Sequence, residues 1–133
     1  MAEIKGQIAV EFIFYVGIIL AILMTVVFVF GSKSKAIYTD KVSMDMQKIS
    51  ELLAEEINIA VSVGDGYSHE FFVPQKAYNG EIYSVIIKPE YYRVYAEWKN
   101  FTYSSSVVTS NITGNFHAGK NKISNSNGVV YIV

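Results

Sequence analysis

The sequence predicts an α+β protein in which a long N-terminal hydrophobic helix is followed by a small antiparallel β-sheet domain. Two observations predict this fold class. Residues 12–31 form an uncharged apolar run, and after Gly66 the spacing of apolar residues changes from a helical period to the period of two that is typical of strands. Charge follows the same division, because residues 1–32 contain only three charged side chains although 17% of the whole chain is charged.

The apolar run FIFYVGIILAILMTVVFVFG has the length of a transmembrane helix. Its 20 residues would span about 30 Å at 1.5 Å per residue, which matches the hydrocarbon core of a bilayer. A secretory signal would have a shorter apolar part of about 7 to 15 residues and a small-residue cleavage site after it. Here Lys33 instead continues into helix-compatible sequence, so we predict a segment that stays in the chain and spans the membrane.

The helix is predicted to continue to Val63. No Gly or Pro lies between Lys33 and Val63, and Gly64-Asp65-Gly66 offers a C-cap and a turn. Apolar residues recur there at helical spacing: Val42, Met46, Ile49, Leu53, Ile57 and Ala60. A helix from about Ile8 to Val63 would be about 84 Å long, too long for the rest of the chain to cover. Its exposed apolar part therefore requires lipid or other copies of the chain.

The remainder of the chain predicts short antiparallel strands. Residues 81–88 and 91–98 predict neighbouring strands, and residues 122–124 and 129–133 predict a hairpin around Asn127-Gly128. Weaker strand signals lie at residues 69–73 and 107–109. We expect the upper helix face to cover one side of this sheet and the Tyr and Trp side chains to form much of its core.

Composition and motifs argue against several functions. The absence of Cys excludes disulfides and thiolate chemistry, and 11 basic against 12 acidic residues argue against nucleic-acid binding. There is no Gly-rich phosphate loop and no catalytic triad pattern, so we predict no enzyme, no cofactor and no metal. Glu55-Glu56 fits a solvated helix edge, and His69 and His117 fit surface positions.

One octapeptide indicates a specific function: Lys5-Gly6-Gln7-Ile8-Ala9-Val10-Glu11-Phe12, immediately before the apolar run. A carboxylate near a membrane span is costly, up to about 2.5 to 3.5 kcal/mol at the bilayer centre, and so points to function. A position of Glu11 at the membrane interface or near the helix N-terminus would explain the carboxylate equally well. The octapeptide resembles the class III signal sequence of archaeal type IV pilins, although Ala9 stands where that family often has Ser.

The resemblance implies that a membrane prepilin peptidase cuts between Gly6 and Gln7, with residues 1–6 as the signal peptide. The mature chain would be a pilin, the structural subunit of an extracellular filament, with adhesion as its expected role. Its parts would be residues 7–31 as transmembrane and filament-core helix, 32–63 as an amphipathic continuation, and 64–133 as the β domain.

The resemblance also implies the partners and the contacts of assembly. Glu11 would pair with the new α-amino group of Gln7 on an adjacent subunit and set the axial register. The partners would be copies of this chain, the prepilin peptidase, a membrane assembly platform with its ATPase and, before assembly, membrane lipid. Residues expected to pack in the filament core are Ile8, Ala9, Phe12, Gly17 and Ala21, the small ones allowing close helix approach.

Other functions remain open from the sequence. The chain could be an archaellin-like subunit, a minor pilin or a secretion-type pseudopilin, or a single-pass anchored surface protein that never polymerises. Lys33 and Lys35 outnumber Lys5, so a simple positive-inside count places the C-terminal part in the cytoplasm, opposite to the pilin resemblance. Asn100 and Asn111 begin N-glycosylation sequons, which fits a surface protein.

Overall fold

The computed structural model describes residues 2–133, with side chains from Gln7 onward. Helix α1 covers Ala2–Val63 and confirms the predicted long helix. The strands that follow are β1 Ser68–Val73, β2 Ser84–Lys88, β3 Arg93–Trp98, β4 Phe101–Ser106, β5 Ile112–Gly114, β6 Gly119–Ser126 and β7 Val129–Ile132. The fold is therefore α+β, with one long N-terminal helix before a small β domain, as predicted.

The chain divides into two compact units. The first ends at Thr39 and consists of the N-terminal part of α1, and the second covers Asp40–Val133. The second unit therefore contains the last turns of α1 together with all the strands.

In the second unit, the inner face of α1 belongs to the hydrophobic core. All six apolar residues that were predicted to share a helix face are at most 5% exposed: Val42, Met46, Ile49, Leu53, Ile57 and Ala60. The helix ends where the sequence predicts, because Gly64 adopts a positive φ of 86° and its N–H donates to the Ala60 carbonyl at 3.2 Å. The upper helix thus covers the β domain, as expected.

The strands form two sheets. One sheet has the order β1-β6-β7-β5 and the other β2-β3-β4. The pairs β2–β3 and β6–β7 are antiparallel, as predicted, and Asn127 and Gly128 both have positive φ, as a type I′ hairpin turn requires. Pairing of β5 with β7 is parallel and is the exception in an otherwise antiparallel arrangement.

The prediction of a strand at residues 107–109 is wrong, because the strand in this region, β4, ends just upstream at Ser106. The backbone N–H of Val107 donates to the Tyr92 carbonyl at 2.9 Å. The N–H of Val108 donates to Asn58 Oδ1 on α1 at 2.9 Å. These bonds end the ladder of β3 and β4 at Ser106, so a tertiary contact from the helix sets this boundary.

The expectation that Tyr side chains form the sheet core is also wrong. Trp98 is buried, but in the β domain four Tyr are half-buried and four are exposed: Tyr67, Tyr83, Tyr95 and Tyr103, and Tyr78, Tyr91, Tyr92 and Tyr131. Small and β-branched residues form the core instead, among them Val94, Ala96, Ile123 and Val130. The hydroxyl group explains the difference, because a half-buried Tyr can keep a polar partner: Tyr103 donates to Ser43 and Tyr83 to the Pro74 carbonyl.

Candidate functional site

The apolar surface of the first unit is the largest feature that the fold leaves uncovered. Every large apolar side chain from Ile8 to Phe30 is exposed, from 37% at Val16 to 79% at Phe28. This helix is long and apolar enough to cross a membrane, and the most apolar part of it has no residue buried by the rest of the chain. Exposure extends around the whole circumference of the helix, so the segment has no face that a soluble protein would turn to water.

Gln7 and Glu11 lie one turn apart at the start of the described side chains. Gln7 Nε2 donates to Glu11 Oε1 at 3.5 Å, a bond that spans four residues along the helix, and both side chains are exposed. The Gly6–Gln7 bond lies within α1, so a peptidase would have to open the helix locally in order to cut it. Gly has about 1 kcal/mol lower helix propensity than Ala, so Gly6 favours such opening.

The small residues Gly17 and Ala21 lie four residues apart on the exposed helix. A Cβ atom placed on Gly17 would meet nothing within 4 Å beyond its own helix backbone and chain neighbours, so no packing inside the chain requires glycine there. Glycine in a helix interior costs about 0.8 to 1 kcal/mol relative to alanine. A small residue that the chain does not itself need is consistent with close approach of a neighbouring helix. Ile8, Ala9 and Phe12 are exposed on the same segment.

Asn100 lies in a tight turn between β3 and β4. Trp98 pairs with Phe101 across the ladder and stacks on it at 5.6 Å between ring centroids, leaving only Lys99 and Asn100 in the turn. Lys99 has a positive φ of 52° and its Nζ lies 3.1 Å from Glu81 Oε1. These contacts fix the turn from both sides while the Asn100 side chain stays exposed.

Asn111 lies immediately before β5 and is exposed as well. Its backbone is fixed by two bonds, since its N–H donates to Thr109 Oγ1 at 3.0 Å and its carbonyl accepts from the Val130 N–H at 2.9 Å. Thr113, the hydroxyl residue of this sequon, is exposed, as is Thr102 in the Asn100 sequon. The Asn and Thr side chains of both sequons are therefore exposed, which glycosylation would require.

Glu56 was expected at a solvated helix edge, and this prediction is wrong. It is half-buried, and its Oε1 lies 3.9 Å from His69 Nε2 on β1. The second carboxylate oxygen, Oε2, is buried and has no hydrogen-bond partner among residues 7–133. Burial raises the pKa of the Tyr67 hydroxyl, and the Glu56 charge raises it further. Glu55, in contrast, is exposed as expected.

Sequence reasoning could not find the contact between Glu56 and His69, because thirteen positions separate them and only the packing of β1 on α1 brings them together. In the part of the chain that the structure describes, no group of three or more His, Asp or Glu side chains is placed to hold a metal ion. The chain matches no protein-family model, no curated protein and no solved structure.

Proposed function

We propose that this protein is the structural subunit of an extracellular type IV pilus-like filament, made as a membrane-inserted precursor and cut before Gln7. The observation that carries the proposal is the apolar helix of the first unit, which is exposed around its whole circumference. A single partner covers one face of a helix, whereas this segment needs surroundings on every side. Lipid supplies them in the precursor, and several copies of the helix supply them in a filament.

The physical chemistry of the segment favours assembly once it leaves the membrane. Full burial of one large apolar side chain is worth about 1.5 to 3 kcal/mol, so transfer of this helix alone into water would cost tens of kcal/mol. Copies that pack together avoid that cost, and Gly17 and Ala21 permit their backbones to approach closely. The second unit, which is folded around its own core, would lie on the filament surface and make any adhesive contacts.

Glu11 supplies specificity in this proposal. Its carboxylate would enter an apolar helix bundle and would be costly there unless a positive group met it, and the α-amino group of a cut Gln7 is such a group. An unpaired charge in a wrong register would be penalised, so the pair selects one axial position. Gln7 Nε2 lies 3.5 Å from Glu11 Oε1 within one helix, so both residues lie at the same end of the apolar segment.

The decisive experiment is intact-mass analysis of protein sheared from the cell surface. The proposal expects a mature chain that begins at Gln7 and lacks residues 1–6, recovered in filaments that are visible by electron microscopy. A matched variant, Gly6→Leu, should leave uncut precursor in the membrane fraction because the bulky side chain blocks the peptidase. Surface protein that keeps its first six residues would support the alternative of a single-pass anchored protein and would overturn this proposal.

A further inference from the structure

Three parts of the second unit meet at the end where α1 enters it. They are Lys41 on the helix, the loop 74–83 between β1 and β2, and the turn 98–101 between β3 and β4. Lys41 Nζ lies 3.4 Å from the Tyr78 hydroxyl and 5.1 Å from the centre of the Tyr78 ring, which joins the loop to the helix. We call the surface formed by these three parts the entry end.

The direction of β4 places the turn 98–101 at the entry end. Contacts along this strand follow increasing residue numbers on the helix: Tyr103 with Ser43, Ser105 with Ser50, and Ser106 with Asn58. The strand therefore runs in the same direction as α1, and its first residue, Phe101, lies at the entry end. Glu81 fixes the loop to this turn, because its carboxylate accepts from the Trp98 indole N–H at 2.8 Å and from Lys99 Nζ at 3.1 Å.

Apolar and aromatic side chains project from the entry end, although the second unit has a core of its own. Ile82 is 77% exposed, Phe101 is 46% exposed and Tyr78 is 40% exposed. Ile82 directly follows Glu81, so it lies on a backbone that the contacts of Glu81 hold in place. Single exposed apolar residues are normal on a protein surface, whereas several on one surface mark an interaction site.

The same surface carries basic side chains. Lys41, Lys76 and Lys99 are exposed, and the acidic residues that adjoin or contact them are Asp40 and Glu81. Glu81 is half-buried and is already bonded to Lys99. Basic and aromatic side chains around exposed apolar ones are the composition of a membrane interface, where Tyr rings lie at the level of the headgroups and Lys side chains extend to them.

The apolar run of the chain lies close in sequence to the entry end. Ten residues separate Gly31, the last residue of the run, from Lys41, which is a rise of about 15 Å along a helix. The headgroup zone of a bilayer extends about 5 to 8 Å beyond the hydrocarbon core. Long side chains at the entry end, such as Lys41, extend further towards it. When the run spans a bilayer, lipid headgroups are therefore the surface that this end reaches first.

We propose that the entry end binds the lipid surface of the bilayer that holds the precursor. Ile82, Phe101 and Tyr78 would enter the headgroup zone, and the Lys side chains would bind anionic headgroups. The inference rests on the proposed function for one point, the membrane-inserted precursor. Lipid is favoured over a protein partner because every inserted copy meets headgroups without further recognition. The contact would last until the subunit is extracted, and of the two sequon residues only Asn111 would then be accessible in the precursor, since Asn100 lies in the bound turn.

Trp98 is a native probe of this contact, because it is the only Trp in the chain and lies at the entry end. The full chain would be placed in vesicles of phosphatidylcholine and phosphatidylglycerol, with a nitroxide on the headgroup of part of the phosphatidylcholine. Trp98 fluorescence should be quenched. Quenching should weaken without phosphatidylglycerol and at about 1 M salt, where charges are screened beyond about 3 Å. Unquenched Trp98 would overturn the inference.

A second position of the Trp controls for quenching that does not depend on place. Val108 is 64% exposed and its N–H donates to Asn58, which is 17 residues and thus about 25 Å along the helix from Lys41. A chain with Trp98→Phe and Val108→Trp should therefore show little quenching in the same vesicles. Equal quenching at both positions would contradict a contact that is specific to the entry end.

Substitutions test which side chains make the contact. Ile82→Asp should remove most of the quenching of Trp98, whereas Val108→Asp, at a similarly exposed apolar residue, should leave it unchanged. Lys76→Glu should lower the quenching in vesicles with phosphatidylglycerol, and Lys122→Glu, at an exposed residue of β6, is its control. All four variants should keep the unfolding temperature of the native chain in detergent, since these side chains are exposed. Full quenching in Ile82→Asp would overturn the inference.

Photocrosslinking identifies the occupant in cells and does not depend on fluorescence. The native chain has no Cys, so Ile82→Cys can carry a photoreactive group in membranes that contain the precursor. Mass spectrometry should then detect a lipid adduct at position 82 and none at position 108 in the Val108→Cys control. A crosslink from position 82 to another protein or to a second copy, without lipid, would overturn the inference.

Alkaline extraction of the same vesicles separates this inference from its premise. Protein that stays in the vesicles while Trp98 is unquenched would overturn the lipid contact and leave the membrane-inserted precursor intact. Protein that is released by the extraction would overturn both.

Discussion

Replacement of Glu11 by Gln tests the proposed role of this carboxylate in assembly. In the single chain the change is expected to be small, because Glu11 is exposed and its partner is the Gln7 amide at 3.5 Å. A Gln–Glu pair four residues apart is worth about 0.2 to 0.5 kcal/mol, and Gln has nearly the same helix propensity as Glu. The variant should therefore be inserted, cut and folded like the native chain.

In the proposed filament the same substitution would remove one partner of a buried charge pair. Breaking such a pair typically costs about 3 to 5 kcal/mol because the remaining charge stays buried without compensation. At about 1.4 kcal/mol per factor of ten, each subunit contact would weaken by roughly two to four orders of magnitude. The assay is electron microscopy of the cells with immunoblots of the membrane and sheared fractions. Processed subunit should accumulate in the membrane with few or no filaments.

Glu90→Gln is the matched control, since it makes the same chemical change at an exposed residue of the β domain and should assemble normally. Glu11→Gln cells with a normal number of filaments would refute the reasoning, because the filament would then not depend on a charge pair at the Glu11 carboxylate. Loss of the processed subunit itself would also refute it, since the structure gives Glu11 no role in the folding of a single chain.

Further predictions concern packing, stability and modification. Gly17→Leu should keep or increase helix content by circular dichroism, since a Cβ there meets nothing within 4 Å beyond its own helix backbone and chain neighbours. The same variant should abolish filaments, and unchanged filament yield would contradict close helix packing at this position. Leu53→Ala removes a fully buried side chain and should lower the free energy of unfolding of the β domain by about 2 to 5 kcal/mol, measured by thermal unfolding of the full chain in detergent. Leu52→Ala, at its exposed neighbour, should lower it by less than about 1 kcal/mol, and equal losses would contradict the assigned core. At least one of Asn100 and Asn111 should carry glycan, which mass spectrometry of native surface protein would detect and the corresponding Asn→Gln change would remove. Two unmodified Asn side chains would contradict the glycosylation prediction.

The helical half of the fold could be predicted because its signals are local. Apolar spacing of three and four between Val42 and Ala60 specifies one face, and Gly64 specifies the end of the helix with a positive φ. The Asn127-Gly128 turn is also a local signal, since its conformation needs residues that tolerate positive φ. In each case the residue types decide the backbone before any tertiary contact is made.

The middle of the β domain depends on contacts that a sequence does not display. The FTYSSS sequence of β4 alternates apolar and polar residues only over its first four positions and ends in three Ser. Contacts with the helix hold it: Ser105 Oγ lies 3.0 Å from Ser50 Oγ, and Asn58 binds the chain where the strand ends. The three-residue strand β5 pairs with β7 in parallel and carries no pattern of its own. Packing on α1 and pairing of β5 with β7 therefore override weak local preference.

The candidate site divides in the same way. Gln7 and Glu11 are four residues apart, so a helix must bring them onto one face, and their proximity could be predicted from sequence. That Lys41 is engaged by Tyr78, and that Glu56 lies against His69 while Glu55 stays exposed, follows only from which parts of α1 the β domain covers. Sequence identifies residues that can interact, and the fold decides which of them are left for another molecule.

The distribution of exposed apolar surface further separates the tests of assembly from the tests of folding. In the first unit no large apolar side chain from Ile8 to Phe30 is buried, so a substitution there removes no contact from the core of the single chain. In the second unit the buried face of α1 carries the stability of the domain, and Leu53 has no exposure through which to contact a neighbour. Changes at residues that share no contacts have additive effects on free energy. Filament yield should therefore respond to Gly17 and Glu11 at constant unfolding temperature of the β domain. A variant at either residue that lowers that temperature would contradict this reasoning, because both residues are exposed in the single chain.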